Sequence, residues 1–177
     1  MFGMYWKLIT LLAAWTFISG LLGKRTFTET QRNHLLAKCH RRTDVSGRNL
    51  NVGFALALLN KQRGPMLKKL KSKRSATKQA RILSRAQFKD DVVSHTAGRG
   101  TFHGRCKAAK FGNCAENVGS GRTVCDAIAS WMGSDFHQQN ILGSYTHAGI
   151  ANKGNKWTLL LGSRNAYQSQ SIIKWIG

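Results

Sequence analysis

The residues able to do chemistry crowd into one stretch, Ser94 to Leu142. It holds three of the six histidines (His95, His103, His137), three of the four cysteines (Cys106, Cys114, Cys125) and the acids Glu116, Asp126 and Asp135. Imidazole nitrogens and carboxylate oxygens that converge can hold a divalent cation such as zinc, which keeps an open position when the site is catalytic. The same groups can work as general acid and base without a metal. A plainer reading stands beside these: Glu116 and His137 bond each other or backbone groups and brace the fold. His103 lies in a glycine-rich loop, where a solvated ring is the simpler reading, and His147 falls on an expected strand. Ser94 adjoins His95, but neighbours in sequence do not make a nucleophile–base geometry. No G-x-S-x-G, H-E-x-x-H or Walker-type loop is present in the sequence.

The fourth cysteine is Cys39. No two of the four form a C-x-x-C pair, which weakens a zinc-ribbon reading. An even set suits a disulfide framework in an exported protein, and four cysteines allow three connectivities. Cys106 and Cys114 are close enough in sequence to pair, which would leave Cys39 for Cys125; the sequence keeps all three open.

Composition bounds the partners. The 28 Lys and Arg residues against 7 Asp and Glu give a net charge of +21. Such a field draws nucleic acid, phospholipid headgroups and acidic polysaccharide without choosing among them. A hydrophobic fraction of 42% over 177 residues supports one domain with an N-terminal extension and excludes wholesale disorder.

The elements that must position the chemistry follow in order. Residues 1–23 read as a signal peptide or an N-terminal anchor: Lys7 precedes the apolar run Leu8–Ile18, and Ser19, Gly20 and Gly23 follow. That run is short for a span of about 20 apolar residues, so cleavage and retention both stay open. Residues 24–51 form a basic connecting segment with one apolar island, Leu35–Ala37, which Cys39 staples to the domain. From residue 52, Val52, Ala55, Leu56 and Leu59 make a helical face that Gly64-Pro65 ends. Lys68, Lys69, Lys71, Lys73 and Arg74 read as a solvated loop and helix edge, with no aromatic side chains for stacking bases.

A second helix is expected from Ser75 to Val92-Val93. Its apolar side carries Ala76, Ala80, Leu83 and Gln87 with Ile82, Ala86 and Val93, and it delivers His95 at or just past its end. A short helix over Arg105–Lys110 interrupts a loop-rich stretch from Thr96 to Asn113. A strand-like step at Ala115–Val118 follows. Thr123 with Asp126 three residues on resembles a capping box, opening a helix with Val124, Ala127, Ile128 and Trp131 on one face. Tyr145–Ile150 and Trp157–Leu161 read as strands joined by a hairpin turn at Asn152–Asn155. The tail, residues 163–177, is apolar enough at Ile172, Ile173, Trp175 and Ile176 to pack on the domain.

Together these pieces resemble the CAP superfamily (cysteine-rich secretory proteins, antigen five, pathogenesis-related one), also called the SCP domain, in its single-domain bacterial form. The matching stretches are ALLNKQRG at Ala57–Gly64, VSH at Val93–His95, CAENVGSG at Cys114–Gly121, SWMGSDFHQQNIL at Ser130–Leu142 and HAGIANKGNKWTLLLG at His147–Gly162. The resemblance covers residues 52–162 in order and spacing. It implies an α+β fold, a three-layer α-β-α sandwich around an antiparallel or mixed sheet. It also implies a cleft with two histidines and two acids, which fall here on His95, Glu116, Asp126 and His137. His95 and His137 are then the candidate metal ligands, with zinc or another divalent cation as a possible but not required cofactor. Two positions depart from the family pattern: Ala115 stands where glycine usually precedes the Glu-Asn step, and Asp126 stands where glutamate is usual. A carboxylate one methylene shorter can fall short of a shared metal and cap its own helix instead.

The function implied is an exported protein, secreted or periplasmic, whose cleft binds a divalent cation, lipid or sterol without established catalysis. Two alternatives remain: a metal-assisted hydrolase or protease using the same four residues, and a basic binder of anionic envelope polymers or nucleic acid. No specific nucleic-acid ligand is expected, and the sequence gives no oligomeric state.

Overall fold

Residues 26–164 are described in a computed structural model; the signal or anchor reading and the tail beyond Arg164 lie outside the described residues. Four strands, β1 (Lys71–Ser72), β2 (Asn113–Ser120), β3 (His147–Lys153) and β4 (Lys156–Ser163), form one sheet in the order β1-β3-β4-β2. β1 runs parallel to β3 and the other pairings are antiparallel, so the sheet is mixed. The β3–β4 hairpin closes through Gly154-Asn155, with Gly154 at φ 53°, a conformation open to glycine without steric cost.

Helices cover both faces. One layer holds α3 (Arg74–Lys89) and α4 (Phe102–Ala108); the other holds α1 (Glu29–Ala37), α2 (Val52–Arg63), α5 (Val124–Met132) and α6 (Asp135–Leu142). This is the α-β-α sandwich, and the alternation of side chains along each strand feeds its two cores. Leu159 and Leu161 join the large cluster with Ala55, Leu59, Ile128 and Trp131. Leu160, between them, packs with Ala76, Cys106 and Phe111 under α3 and α4. α3 lies on the sheet at backbone distance: a Cβ added at Gly149 would sit 2.0 Å from the Thr77 nitrogen.

Two local expectations change. α3 ends at Lys89 rather than at Val92-Val93, because Asp91 takes a left-handed φ of 47° and breaks the helical repeat. Ile82 and Val93, expected on the apolar side, are 50% and 46% exposed. Ile82 is five residues from the buried Gln87, which puts it about 140° around the helix from it.

The basic segment before residue 52 is more than a tether. It carries α1, opened by a Thr28–Gln31 capping box, and places Leu35, Cys39 and Val45 in the main core. The Val45 carbonyl accepts from the Val124 N–H at 2.9 Å, and Cys39 is bonded to Cys125. Among the described residues no helix is long and apolar enough to cross a membrane.

Candidate functional site

Strand β2 lies at one edge of the sheet, and its Glu-Asn step sends one side chain to each layer. Glu116 lies on the α3–α4 side with Cys114 and Val118; Asn117 lies on the α6 side. The Glu116 side chain is 1% exposed, so its charge needs partners.

It has two. The Arg105 guanidinium grips both carboxylate oxygens, Nε to Oε2 at 2.7 Å and Nη2 to Oε1 at 2.7 Å. His95 Nδ1 meets Oε1 at 2.9 Å; an ionised carboxylate only accepts, so Nδ1 carries the proton and Nε2 points elsewhere. Arg105 also donates to the His95 carbonyl at 2.7 Å and to the Gly100 carbonyl at 3.0 Å. It thereby fixes the loop that presents the imidazole. That loop leaves α3 under the control of buried Gln87, whose Oε1 accepts from the Ser94 N–H at 3.3 Å and whose amide donates to Thr158 Oγ1 at 2.9 Å.

The Cys106–Cys114 disulfide explains how Arg105 reaches Glu116. One end, Cys106, is the residue after Arg105; the other, Cys114, sits two residues before Glu116, on the same strand face.

His137 comes from the first turn of α6. Asn117 donates to its backbone carbonyl at 3.0 Å and accepts from Asn140 at 2.9 Å, clamping α6 to β2. The ring uses Nδ1 on Ser134 Oγ at 3.0 Å, leaving Nε2. Burial lowers the His137 pKa from the ordinary histidine range, and the nearby His95 lowers it further. The two imidazoles are therefore near enough to interact electrostatically.

Asp126 takes a different place. Its Oδ2 accepts from the Thr123 N–H at 2.8 Å and from Thr123 Oγ1 at 3.0 Å, while its own N–H donates to Thr123 Oγ1 at 3.3 Å. It is the capping-box residue of α5, as Thr123 and its spacing suggest. His103 is exposed on α4, and His147 bonds the adjacent Thr146 hydroxyl at 2.9 Å.

No protein-family model matches the chain, and no curated protein matches it in sequence. Solved structures do match in shape. An extracellular protein containing an SCP domain, from Bacillus anthracis, superposes with a TM-score of 0.57 at 22% identity, over 62% of this chain and 39% of that one. The fold is that of the SCP domain. An outer surface protein from Borrelia burgdorferi gives a TM-score of 0.58 at 17% identity, over 64% of this chain and 92% of that one. This chain thus spans about two fifths of the Bacillus protein and nearly all of the Borrelia protein.

The SCP fold brings His95 and Glu116 into contact, sets His137 near enough to His95 to interact electrostatically, and leaves Asp126 at its cap. Arg105 is the partner that sequence reasoning missed. A catalytic zinc takes three protein ligands. Here His95 and His137 offer one nitrogen each, Arg105 occupies both oxygens of Glu116, and Asp126 is committed to Thr123. Among the described residues no three His, Cys, Asp or Glu side chains are grouped to hold a metal ion. The arrangement as it stands does not fit a three-ligand zinc site.

The lowered pKa of His137 has a definite sign. The unfolded chain takes up a proton near pH 6.5 that the folded chain refuses. Stability is therefore full above that pH and falls as the solution is acidified toward the lower, folded-state value. Melting from about pH 7.5 down to about 5 is expected to show a declining Tm, and His137→Gln to flatten part of the decline. Equal slopes in both proteins would mean His137 titrates alike folded and unfolded.

Proposed function

We propose that this chain is an exported SCP-fold protein that binds a lipid or sterol in or beside the His95–His137 cleft, at the envelope or outside the cell, without catalysing a reaction there. The observation that carries the reading is the Arg105–Glu116 pair. Arg105 and His95 hold the Glu116 carboxylate and Thr123 holds Asp126, so neither acid is presented as a general base or third metal ligand, while His95 and His137 keep ring edges that can hydrogen-bond a hydroxyl or headgroup. Beside the cleft, α3 and the loop into α4 line an open groove of about 130 Å³ bounded by Ile82, Leu83, Ala86, Ala97 and Arg105. That apolar wall can contact the hydrocarbon part of such a ligand, but the groove is too small to enclose it. Export is supported by the pairing of all four cysteines as Cys39–Cys125 and Cys106–Cys114, bonds that persist in oxidising compartments. The apolar run Leu8–Ile18 and the extracellular description of the Bacillus protein point the same way.

The test is titration of the purified protein and of a His95→Ala, His137→Ala variant with a fluorescent sterol, a fluorescent fatty acid and zinc. Saturable sterol or fatty-acid binding is expected, weakened about tenfold in the variant by the loss of two polar contacts. Absence of binding, or equal binding by both proteins, would overturn the reading. Stoichiometric zinc lost in the variant, together with chelator-sensitive hydrolysis, would put the hydrolase in its place.

A further inference from the structure

The outer face of α3 is unusual in composition and position. Arg74, Lys78, Arg81, Arg85 and Lys89 recur at intervals of three or four residues and form one exposed stripe along the helix. None of the five is in an ion pair among the described residues. The acids nearest in sequence are already engaged: Asp90 accepts from the Gly98 N–H at 3.2 Å, and Asp91 meets Lys156 Nζ at 2.9 Å.

The stripe is bordered by apolar side chains that stand in solvent. Ile82 is 50% exposed on one flank and Phe88 46% on the other, with Val92 and Val93 exposed just past the helix end. Lys153 lies over the Phe88 ring at 5.5 Å, adding a further cation to that flank. A solvated charged helix face has no need of this border, and a sugar–phosphate backbone would leave the aliphatic groups in water. A bilayer surface takes both: anionic headgroups meet the cations, and the interfacial zone accepts the aliphatic and aromatic groups.

We propose that the outer face of α3 is a docking surface for a membrane rich in anionic phospholipid, with Arg74, Lys78, Arg81, Arg85 and Lys89 against the headgroups and Ile82, Phe88, Val92 and Val93 at the acyl boundary. This surface uses neither imidazole and shares only Ile82 with the groove beside the cleft; Arg81 and Arg85, whose replacement tests it, do not line that groove.

The experiment is co-sedimentation of the full chain with vesicles of phosphatidylcholine alone and with about 30% phosphatidylglycerol, at low and high salt. The readout is the ratio of the two affinities. The N-terminal apolar run with its flanking Lys7, Lys24 and Arg25 is common to every variant, so its contribution cancels when their ratios are compared. Each cation near such a surface strengthens binding about fivefold, so Arg81→Gln with Arg85→Gln is expected to lower the ratio roughly 25-fold. An Arg48→Gln, Lys61→Gln pair, exposed on the opposite layer, removes the same charge and is expected to leave the ratio nearly unchanged. Phe88→Ser is expected to weaken binding to the anionic vesicles several-fold at both salt concentrations.

Equal losses from the two charge pairs would mean that net charge and not this face is responsible, and would overturn the proposal. So would a ratio near one in the unaltered protein, or loss of single-stranded DNA binding in the α3 variants while vesicle binding is retained. All five positions are exposed, and melting curves verify that the variants are folded.

Discussion

Arg105→Met is expected to destabilise the folded chain by about 3–5 kcal/mol, because it strips a buried carboxylate of its cation. The Arg105 and Glu116 side chains are 4% and 1% exposed, so water cannot take over the released hydrogen bonds. The loss has a second part, since the guanidinium also ties the His95 and Gly100 carbonyls. Urea unfolding at neutral pH measures the effect as a lower midpoint with an unchanged slope. Two comparisons isolate the cause. Glu116→Gln on top of Arg105→Met removes the stranded charge, so the double variant is expected to be more stable than the single one. Acidification is expected to narrow the gap between Arg105→Met and the parent, as the stranded carboxyl takes up a proton. Additive losses, or a gap constant with pH, would mean that the pair is not coupled as its geometry requires.

Replacing Cys39 and Cys125 by alanine is the second large effect. The bond closes a loop of 86 residues, and the chain-entropy relation puts its removal at about 4.6 kcal/mol at 25 °C. The same relation gives about 2.5 kcal/mol for the Cys106–Cys114 bond, whose separation is 8 residues. The order of the two losses is therefore fixed in advance, and thermal or urea unfolding of the paired alanine variants checks it. A greater loss from the short loop would show that the Cys106–Cys114 bond matters mainly by seating Arg105 on Glu116, beyond its effect on the unfolded chain. The long loop joins the segment before residue 52 to α5, so its rupture is also expected to loosen α1 and Leu35 from the core.

Most of the scaffold was legible because its signals are local. The faces of α2 and α5 follow from the recurrence of Ala55, Leu56 and Leu59 and of Val124, Ala127, Ile128 and Trp131, all buried. The cap at Thr123–Asp126 follows from residue type and spacing. What was not legible depends on pairing across the chain. A buried arginine leaves no periodic trace, and Arg105 looks like one basic residue among many. Its signal was indirect: its neighbour Cys106 could pair with Cys114, which shares a strand face with Glu116. The end of α3 was overestimated because Val92 and Val93 prolong an apolar impression, whereas a left-handed Asp91 turns the chain. The α1 segment was masked by its charge, since one buried leucine and one cysteine among polar residues make no visible face.

Gly149 has a reach beyond its own strand. Nothing larger fits there without moving the Thr77 backbone, and with it α3, away from the sheet. α3 carries the cationic stripe on its outer side, and through Gln87 it holds the loop that presents His95. One methyl group at residue 149 would thus shift the exterior and the cleft together. Side chains of the stripe and of the cleft can be changed separately, but this glycine is a shared point of failure. Any larger residue at position 149 acts on both at once.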